Sequence, residues 1–463
     1  MKAKFVRSTW LERDGRRLDC GPYMSGALEA RLALSRLSGE KQPLFELCTL
    51  GREGIFHAGR ETRRWVNDPR VGVRFLGSTD ILAADLRDLP FLAKSQVERN
   101  PRLLVRKGWT LITRTGTVGR MAYCRSDMDG LACSEHVMRV APDTEKVLSG
   151  YLYAYLASKY GVPVVAGGTY GSIIQSIEPQ HIADISVPRF GREFEQRVHE
   201  LVEMAAALRV RASSALASVA ARFDALIDGV ASSHEQTTPR IGLVSASCIQ
   251  KRMDAQFHDP VVLAVRERLA SGKHTSIGAW CTCVFLPGIF KRIHVDNAAY
   301  GAPYYTGATL FWLEPLAKGI LSRKTTLFEQ VRMDDGTVLV QAFGQEGGLT
   351  GRAVWVGRNL AGATTTHMLV RLRAETKEDT AYLFGFLQSD AAYRQIASLT
   401  FGGSIPHFDE AGISTVVLPL LGAEERRQIA QEVLSAVKAR EDALDSERAA
   451  RAMIEDAIEK GAN

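Results

Sequence analysis

The two halves of this 463-residue chain repeat the same short motifs in the same order. The members of each pair lie roughly 231–235 residues apart. Five pairs match, namely Arg17-Leu18-Asp19 with Arg252-Met253-Asp254, Gly54-Ile55-Phe56 with Gly288-Ile289-Phe290, Tyr151-Leu152 with Tyr382-Leu383, Gly171-Ser172-Ile173 with Gly403-Ser404-Ile405, and Val187-Pro188 with Leu418-Pro419. The repeat predicts two similar domains, each long enough to bury its own core. Such a chain can present two similar surfaces to one extended ligand.

Each half is followed by a long, proline-free, alanine-rich segment. In residues 192–230 the apolar side chains recur mostly at alternating steps of four and three, which is the spacing of a coiled-coil seam. This seam consists of Phe194, Val198, Leu201, Ala205, Leu208, Ala212, Ala215, Val219, Phe223 and Leu226. Residues 423–461 repeat the pattern less regularly, because Arg440 and Glu447 interrupt it. We predict two long helices that pack against each other; the alternative is that each helix packs on its own domain.

The expected fold class is α+β. Two similar mixed α/β domains, residues 1–190 and 245–421, would be separated by two long helices, residues 191–230 and 422–463. The helices would form an antiparallel coiled coil, which gives the internal repeat an approximate two-fold. The polar run at residues 231–244 would be the linker.

Local patterns predict individual elements inside the domains. The expected elements are strands at 110–113 and 137–140, an amphipathic helix at 147–160 matched by one at 381–394, and closing strands at 182–188 and 413–419. His136 and His367 are placed at corresponding positions beside strands. We expect both histidines to be structural, because positions matched in a repeat preserve packing.

Composition and targeting signals exclude several classes of protein. Hydrophobic residues make up 46% of the chain and charged residues 24%, which is typical of a soluble globular protein. No apolar run is long enough to span a bilayer or to act as a secretory signal. We therefore expect a cytoplasmic protein with no membrane partner, whose seven cysteines are reduced thiols.

No motif for catalysis is evident. The phosphate-binding GxxxxGK[ST] loop is absent. Asn100-Pro101-Arg102-Leu103 lacks the second proline and the aromatic of the amino-methyltransferase loop. Neither the ten histidines nor Cys281-x-Cys283 has the spacing of metal ligands. We expect no catalytic residue, no metal and no cofactor in this chain.

Charge and glycine-rich loops favour contact with a polyanion. The net charge is +6, and the basic excess lies in the two globular halves. Glycine turns at 114–120 and 342–352, and loops at 167–172 and 400–404, let the backbone approach a ligand. Their Arg, Thr and Gln side chains can reach phosphates or base edges. The alternative is that these charges are merely solvated.

The order of the motifs resembles the specificity (S) subunit of type I restriction–modification systems. Each half has a glycine turn after a strand, a Tyr-Leu helix, a Gly-Ser-Ile loop and a strand ending in Pro188 or Pro419. The sequence then continues through Glu195-Gln196, or through Glu425 to Gln428, into the long helix. The resemblance covers nearly the whole chain, twice. The family's usual Pro-Pro-Leu is replaced by Pro188-Arg189-Phe190 and Pro419-Leu420-Leu421.

The resemblance implies two target recognition domains, each of which reads one part of a split double-stranded DNA sequence. It also implies two methyltransferase (modification) subunits, which bind S-adenosylmethionine and methylate adenine, and restriction translocase–nuclease subunits. This chain would bind DNA without covalent chemistry of its own. We expect DNA contacts from Arg114, Thr115, Arg120, Tyr170 and Ser172 in the first half, and from Lys291, Arg292, Gln341, Gln345, Arg352 and Ser404 in the second.

Two other functions are compatible with the sequence. The chain could be a specificity-like adaptor that guides a different enzyme in another phage-defence assembly. It could instead be a protein-interaction scaffold that acts through its coiled coil. An enzyme is the least supported class, because no paired acid–base group or metal cluster is evident.

Overall fold

The chain forms two compact units. The computed structural model describes residues 4–13, 21–116, 118–167, 176–230, 241–250, 252–345 and 347–462. Unit 1 comprises Met1–Val210 with Asp442–Asn463, and unit 2 comprises Arg211–Glu441. Both boundaries fall inside long helices, so each unit contains part of both helices.

Unit 1 is built on two four-stranded sheets. Its described strands are β1 (Lys41–Pro43), β2 (Ile55–Phe56), β3 (Trp65–Val66), β4 (Gly72–Leu76), β5 (Phe91–Ala93), β6 (Thr110–Thr113), β7 (Met121–Tyr123), β8 (Ala132–Cys133), β9 (Val137–Val140) and β10 (Ser186–Pro188). The central sheet has the order β2-β9-β6-β7, and the outer sheet has the order β3-β5-β4-β8. The short strands β1 and β10 pair with each other.

Unit 2 repeats this plan. Its described strands are β11 (His274–Ser276), β12 (Cys281–Phe285), β13 (His294–Val295), β14 (Gly301–Tyr305), β15 (Ala317–Ser322), β16 (Val338–Gln341), β17 (Ala353–Trp355), β18 (Leu369–Ala374) and β19 (Val417–Pro419). The central sheet has the order β12-β18-β16-β17, the outer sheet has the order β13-β15-β14, and β11 pairs with β19.

Helices flank the sheets in both units. The described α-helices are α1 (Ser8–Arg13), α2 (Gly21–Met24), α3 (Ala27–Arg36), α4 (Lys94–Arg99), α5 (Ser149–Leu156), α6 (Gly161–Gly167), α7 (Pro179–Ile182), α8 (Arg192–Asp224), α9 (Ala246–Ile249), α10 (Pro260–Ala270), α11 (Ile277–Trp280), α12 (Gly307–Leu310), α13 (Phe328–Val331), α14 (Lys377–Leu387), α15 (Asp390–Ala397), α16 (Glu410–Ser414) and α17 (Ala423–Ala462). None of the helices in the described part of the chain has a stretch of sufficient length and hydrophobicity to span a bilayer.

The central sheets of the two units share strand order and register. Thr113 pairs with Val137 in unit 1, and Gln341 pairs with Leu369 in unit 2. The prediction of a mixed α/β fold is confirmed, and so are the two strands predicted in the first half, which are β6 and β9.

One hydrogen bond occurs in both units and explains two of the repeated motifs. The hydroxyl of Tyr151 on α5 donates to the carbonyl oxygen of Pro188, which ends β10. The hydroxyl of Tyr382 on α14 donates to the carbonyl oxygen of Pro419, which ends β19, over 2.7 Å. Each bond is buried, and each links a central helix to the strand that leads into a long helix. The tyrosine of the Tyr-Leu motif and the proline of the closing strand are therefore hydrogen-bonded to each other in both units.

The central strand β9 buries an arginine that the alternating pattern did not predict. Arg139 is fully buried, and its guanidinium donates to the carbonyl oxygens of Cys133 and Val137, both at 2.6 Å, and of Ser134 at 2.9 Å. These bonds offset the cost of removing the charge from water. Arg371 occupies the matched position on β18 and is also buried.

The helices predicted at 147–160 and 381–394 are shorter than expected. In the first, α5 ends at Leu156, because the Ser158 hydroxyl accepts a backbone N–H at the start of α6 (3.1 Å). In the second, α14 and α15 are separate helices, because Ser389 caps α15 in the same way (3.1 Å). Neither α5 nor the matched part of α14 is amphipathic, since their residues are buried on all sides.

Two further predictions need correction. The closing strands contain only the last three residues of 182–188 and of 413–419, because the preceding residues form the end of α7 or α16 and a short turn. The match of Phe56 with Phe290 is also wrong. Phe56 pairs with the buried Arg139 of β9. In unit 2, Phe285 pairs with the buried Arg371 of β18, so Phe285 is the counterpart of Phe56.

The two long helices are confirmed as α8 and α17, which contain 33 and 40 residues. At 1.5 Å per residue they are about 50 and about 60 Å long. In unit 1, Val198 and Val202 of α8 and Ala450 and Ile454 of α17 belong to one buried cluster. In unit 2, Arg222 of α8 forms an ion pair with Glu432 of α17 (2.6 Å).

Glu447 interrupts the apolar seam of α17, and the structure supplies its partners. Its carboxylate forms a buried ion pair with Arg209 of α8 and accepts a hydrogen bond from the Tyr153 hydroxyl. The side chains of Arg209 and Glu447 are 8% and 5% exposed. Removing either partner would leave a buried, uncompensated charge, which is strongly destabilising.

Replacing Tyr382 by Phe tests the tyrosine–proline bond. The variant leaves the Pro419 carbonyl without this donor, so we expect the free energy of unfolding of unit 2 to fall by about 1–2 kcal/mol. Hydrogen exchange of the β16 and β18 amides measures that change within unit 2. Tyr300→Phe is the control, because the Tyr300 side chain is 66% exposed. Equal effects of the two variants would contradict the assignment.

Candidate nucleic-acid interface

A connecting loop at the same place in each outer sheet exposes an apolar residue. Residues 67–71 join β3 to β4 and end in Val71, which is 52% exposed. Residues 296–300 join β13 to β14 and end in Tyr300, which is 66% exposed. Each loop is followed by a strand that begins with glycine. Exposed side chains on a rigid sheet are suited to contact a ligand.

Beside each loop, an arginine lies over an aromatic ring. The Arg63 guanidinium lies 4.9 Å from the centroid of the Phe75 ring. The Arg292 guanidinium lies 5.6 Å from the centroid of the Tyr304 ring and donates from Nε to the Tyr304 hydroxyl (2.7 Å). The two arginines precede β3 and β13 by two residues, and the two rings occupy the fourth position of β4 and β14. Arginine on an aromatic ring keeps a planar, charged donor at the surface.

The neighbouring ring of each outer sheet also matches. Trp65 contacts Phe75 edge-on, with centroids 5.2 Å apart. His294 contacts Tyr304 in the same manner at 5.7 Å. Trp65 is about half exposed, at 49%. We call the arginine, the two rings and the loop residue the outer-sheet surface of each unit: Arg63, Trp65, Val71 and Phe75 in unit 1, and Arg292, His294, Tyr300 and Tyr304 in unit 2.

In unit 1 a chain of polar contacts joins the outer-sheet surface to the β6–β7 turn. Arg63 donates to Glu135 Oε2 (2.9 Å) and to Ser134 Oγ (3.1 Å). Glu135 is 3.4 Å from His136 Nε2, and His136 Nδ1 is hydrogen-bonded to Thr115 Oγ1 at 2.8 Å. Burial would raise the pKa of Glu135, but the hydrogen bond from Arg63 and the nearby charges lower it overall.

In unit 2 a chain of rings takes the same route. Phe290 contacts His367 at 6.1 Å, and His367 contacts Phe343 at 5.9 Å between centroids. Phe343 stacks on His407 at 4.8 Å with parallel planes, and His407 contacts Phe401 at 4.4 Å. This chain joins Arg292 to the β16–β17 turn, because the Arg292 guanidinium also lies over the Phe290 ring (6.0 Å).

The two chains use equivalent positions with different chemistry. Thr115 and Phe343 each follow a matched central strand by two residues. Glu135 and His367 each precede the next matched strand by two residues. The prediction that His136 and His367 correspond is therefore wrong by one residue. Both histidines make structural contacts, but of different kinds. His136 is hydrogen-bonded to Thr115, and His367 packs between the rings of Phe290 and Phe343.

The first-half residues predicted to contact DNA have mixed environments. Arg114 is 15% exposed, forms an ion pair with Glu178, and donates to the Ile177 carbonyl oxygen (3.0 Å). Burial lowers the pKa of the adjacent His57, and Arg114 lowers it further. Thr115 is held by His136, and Arg120 donates its backbone N–H to Thr113 Oγ1 (2.9 Å). Tyr170 and Ser172 lie outside the described residues.

The structure brings most of the second-half residues to one surface. Lys291 and Arg292 precede β13 and are exposed. Gln345 donates from Nε2 to the Ser404 carbonyl oxygen (3.1 Å), beside the stacked rings of Phe343 and His407. Gln341 is only 7% exposed, and its Nε2 donates to the Phe343 carbonyl oxygen (2.7 Å). This buried glutamine shapes the turn from inside.

Arg352 is set apart from these residues by its own contact. Its guanidinium lies 3.9 Å from the centroid of the Tyr393 ring on α15. The arginine-on-aromatic arrangement therefore recurs at the far end of the β16–β17 turn. Its contact with DNA stays a prediction.

The sequence-based selection missed the outer-sheet surface of unit 1. Five arginines accompany Trp65 in this stretch, namely Arg60, Arg63, Arg64, Arg70 and Arg74. The side chains of Arg60 and Arg64 are exposed and have no hydrogen bond or ion pair to another residue that the structure describes. The segment Trp65-Val66-Asn67-Asp68 also resembles His294-Val295-Asp296-Asn297. This faint repeat, together with the density of arginines, was the available signal.

No protein-family model and no curated protein sequence matches the chain. Among solved structures, it is similar to the type I restriction–modification S subunit from M. genitalium, with 12% identity, a TM-score of 0.32, and coverage of 92% of this chain and 96% of that chain. It is similar to the HsdS subunit from Thermoanaerobacter tengcongensis, with 15% identity, a TM-score of 0.27, and coverage of 91% and 96%. A structure from work on assembly and conformational transition of the type I R-M system gives 15% identity, a TM-score of 0.27, and coverage of 91% and 98%.

The ring chain of unit 2 predicts a dependence of stability on pH. Burial lowers the pKa of His367 below the ordinary histidine value of 6.5, and Arg292 lowers it further. Folding thus favours the neutral ring, so this contribution is complete above about pH 6.5 and is lost as the pH falls through the folded-state pKa.

His367→Phe should reduce that dependence, because a phenyl ring keeps the contacts with Phe290 and Phe343 but does not titrate. We expect the loss of stability of unit 2 between pH 7.5 and 5.5 to be smaller in the variant, as measured by urea denaturation. His274→Phe, at an exposed histidine of the same unit, is the control. An unchanged pH dependence in His367→Phe would show that protonation of His367 is irrelevant.

Proposed function

We propose that this chain is a DNA-recognition subunit that reads a target in two parts, one with each unit. The observation that supports this proposal best is the pair of outer-sheet surfaces. Each has an arginine on an aromatic ring and an exposed loop residue at matched positions. In unit 1 a chain of polar contacts joins this surface to a glycine turn. In unit 2 a chain of aromatic rings makes the same connection. Matched scaffolds with divergent contacts suit two different half-sites.

The surfaces contain the chemical groups that DNA binding requires. Exposed cations such as Arg64 and Lys291 can neutralise phosphates, which supplies affinity without sequence information. Side chains such as Gln345 and Ser404 can donate to or accept from base edges in a groove. Exposed Val71 and Tyr300 can contact bases or sugars from the ends of the loops.

The long helices support a role as spacer and platform. Along α8, Arg209 precedes Arg222, whereas along α17 the partner of Arg209, Glu447, follows the partner of Arg222, Glu432. This reversed order supports an antiparallel pair. We propose that the pair sets the gap between the half-sites and receives two methyltransferase subunits, with S-adenosylmethionine bound to those subunits. Restriction translocase–nuclease subunits would join the same assembly, and this chain would carry out no covalent step.

Methylation mapping tests the proposal in the host. The genome is sequenced for modified adenine with and without the gene for this chain. We expect a two-part adenine motif with a fixed gap to disappear when the gene is absent. Unchanged methylation together with salt-insensitive binding to random duplex DNA would favour the scaffold function instead.

Lys291→Ala and Arg64→Ala test the phosphate contacts in unit 2 and unit 1. Because each variant removes one neutralising cation, we expect several-fold weaker DNA binding and a log–log salt slope that is less steep by about 0.9. Fluorescence anisotropy with duplex DNA at several salt concentrations measures both effects. Arg427→Ala, which removes a cation on the exposed face of α17, is the control. A slope that changes equally in all three variants would place the contacts elsewhere.

A further inference from the structure

A cavity opens beside the outer-sheet surface of unit 2. Its volume is about 470 Å³, which is within the range of small-molecule sites. Arg292, His294 and Tyr304 line one side, and Lys318 and Gly319 of β15 line another. The lining also includes Asp296, Ile320 and Met368. The cavity therefore combines cations, an exposed imidazole, an acidic oxygen and apolar groups.

A β-bulge positions one of the cations. Tyr304 pairs with Gly319, but the next residue, Tyr305, pairs with Ala317, so Lys318 is the extra residue of β15. Bulges redirect a side chain and are frequent beside functional sites. Here the redirected Lys318 lines the cavity and is exposed. Gly319, which pairs with Tyr304, leaves space in front of the His294 ring. A Cβ at this position would lie 3.4 Å from His294 Nδ1.

The equivalent strands of unit 1 lack this arrangement. Gly72, Val73 and Arg74 of β4 pair with Ala93, Leu92 and Phe91 of β5 without a register shift. Pro90 and the buried Leu89 precede β5 and stand where unit 2 has Gly319 and Lys318. The bulge, the glycine and the lysine are thus specific to unit 2.

The chemistry of the cavity suits a single nucleotide. Lys318 and Arg292 can hold a phosphate. The exposed His294 ring offers a face on which a base can stack, and Met368 and Ile320 supply apolar contact. The Asp296 carboxylate can accept a hydrogen bond from an exocyclic amino group. Asp296 would therefore favour a base with an exocyclic amino group, namely adenine, cytosine or guanine, over thymine.

We propose that this cavity receives one nucleotide that is turned out of the bound duplex. The inference rests on the proposed DNA-recognition function and adds a ligand for one unit. It makes unit 2 a reader of an unstacked base, in addition to its contacts with the grooves. Unpaired bases cost the least to extrude, so they are the most sensitive probes.

The test compares two DNA probes with the full chain. One is a perfect duplex of random sequence, and the other is the same duplex with one unpaired cytosine. We expect about tenfold tighter binding to the bulged duplex in fluorescence anisotropy, and a smaller gain with an unpaired thymine. Free deoxycytidine monophosphate distinguishes a second source of the ligand: micromolar binding without a preference for bulged DNA would mean that the cavity holds a free nucleotide, and would overturn the proposal.

Variants separate the cavity from general DNA binding. Lys318→Ala should abolish most of the preference for the bulged duplex and leave binding to the perfect duplex within about twofold. Lys324→Ala, another exposed lysine of unit 2, should keep the preference. If Lys318→Ala weakens both complexes equally, or if the preference survives in Lys318→Ala, the cavity does not receive a nucleotide. Absence of binding to either duplex would instead refute the proposed function.

Discussion

In each unit, one buried hydrogen bond from a tyrosine hydroxyl to the carbonyl of a closing proline ties the strand that leads into a long helix to a helix packed on the central sheet. Tyr151 and Tyr382 lie in the central helices, and Pro188 and Pro419 end the strands that lead directly into α8 and α17. Each proline ends a strand of a two-stranded sheet, and its carbonyl accepts from the tyrosine rather than from a third strand. Burial raises the pKa of Tyr382 to about 12, which keeps the hydroxyl protonated as a donor.

The two series of side-chain contacts that join the outer sheets to the turns of the central sheets differ in their sensitivity to salt. In unit 1 the contact of Arg63 with Glu135 is ionic, and the Arg63 side chain is partly exposed to solvent, where salt screens charge. In unit 2 the contact of Phe343 with His407 is between rings, and dissolved ions affect it little. Raising the ionic strength would therefore loosen the support of one surface more than that of the other.

Much of the architecture was predictable from the sequence, because period and proline punctuation are local signals. The long helices, the central strands β6 and β9 and the mixed α/β class follow from them. The C-terminal end of α5 and the start of α15 could not be predicted in this way. Ser158 and Ser389 set them through hydrogen bonds, which the spacing of apolar residues does not reveal. The burial of Arg139 depends on carbonyl groups brought together by the fold.

The candidate site was less predictable, and for a related reason. Lys291, Arg292, Gln345 and Ser404 were selected because cations and glycine turns are visible in sequence. Gln341 has the same residue type as Gln345, yet it faces the interior, which only the packing decides. The outer-sheet surface of unit 1 was missed because the arginines between Arg60 and Arg74 lie outside the strong motifs. Its counterpart in unit 2 became evident only when β3 and β13 could be compared as strands.

The buried pair of Arg209 and Glu447 has a consequence for how such a gene can change. Arg209 lies two residues before the segment Arg211–Glu441 and Glu447 lies six residues after it, and both belong to unit 1. Recombination that exchanges the coding sequence of that whole segment would leave the charge pair, and Tyr153 beside it, intact. The exchanged chain would have a new second half and would keep the contacts of Glu447 with Arg209 and Tyr153. The pair therefore lies just outside the segment that such an exchange would replace.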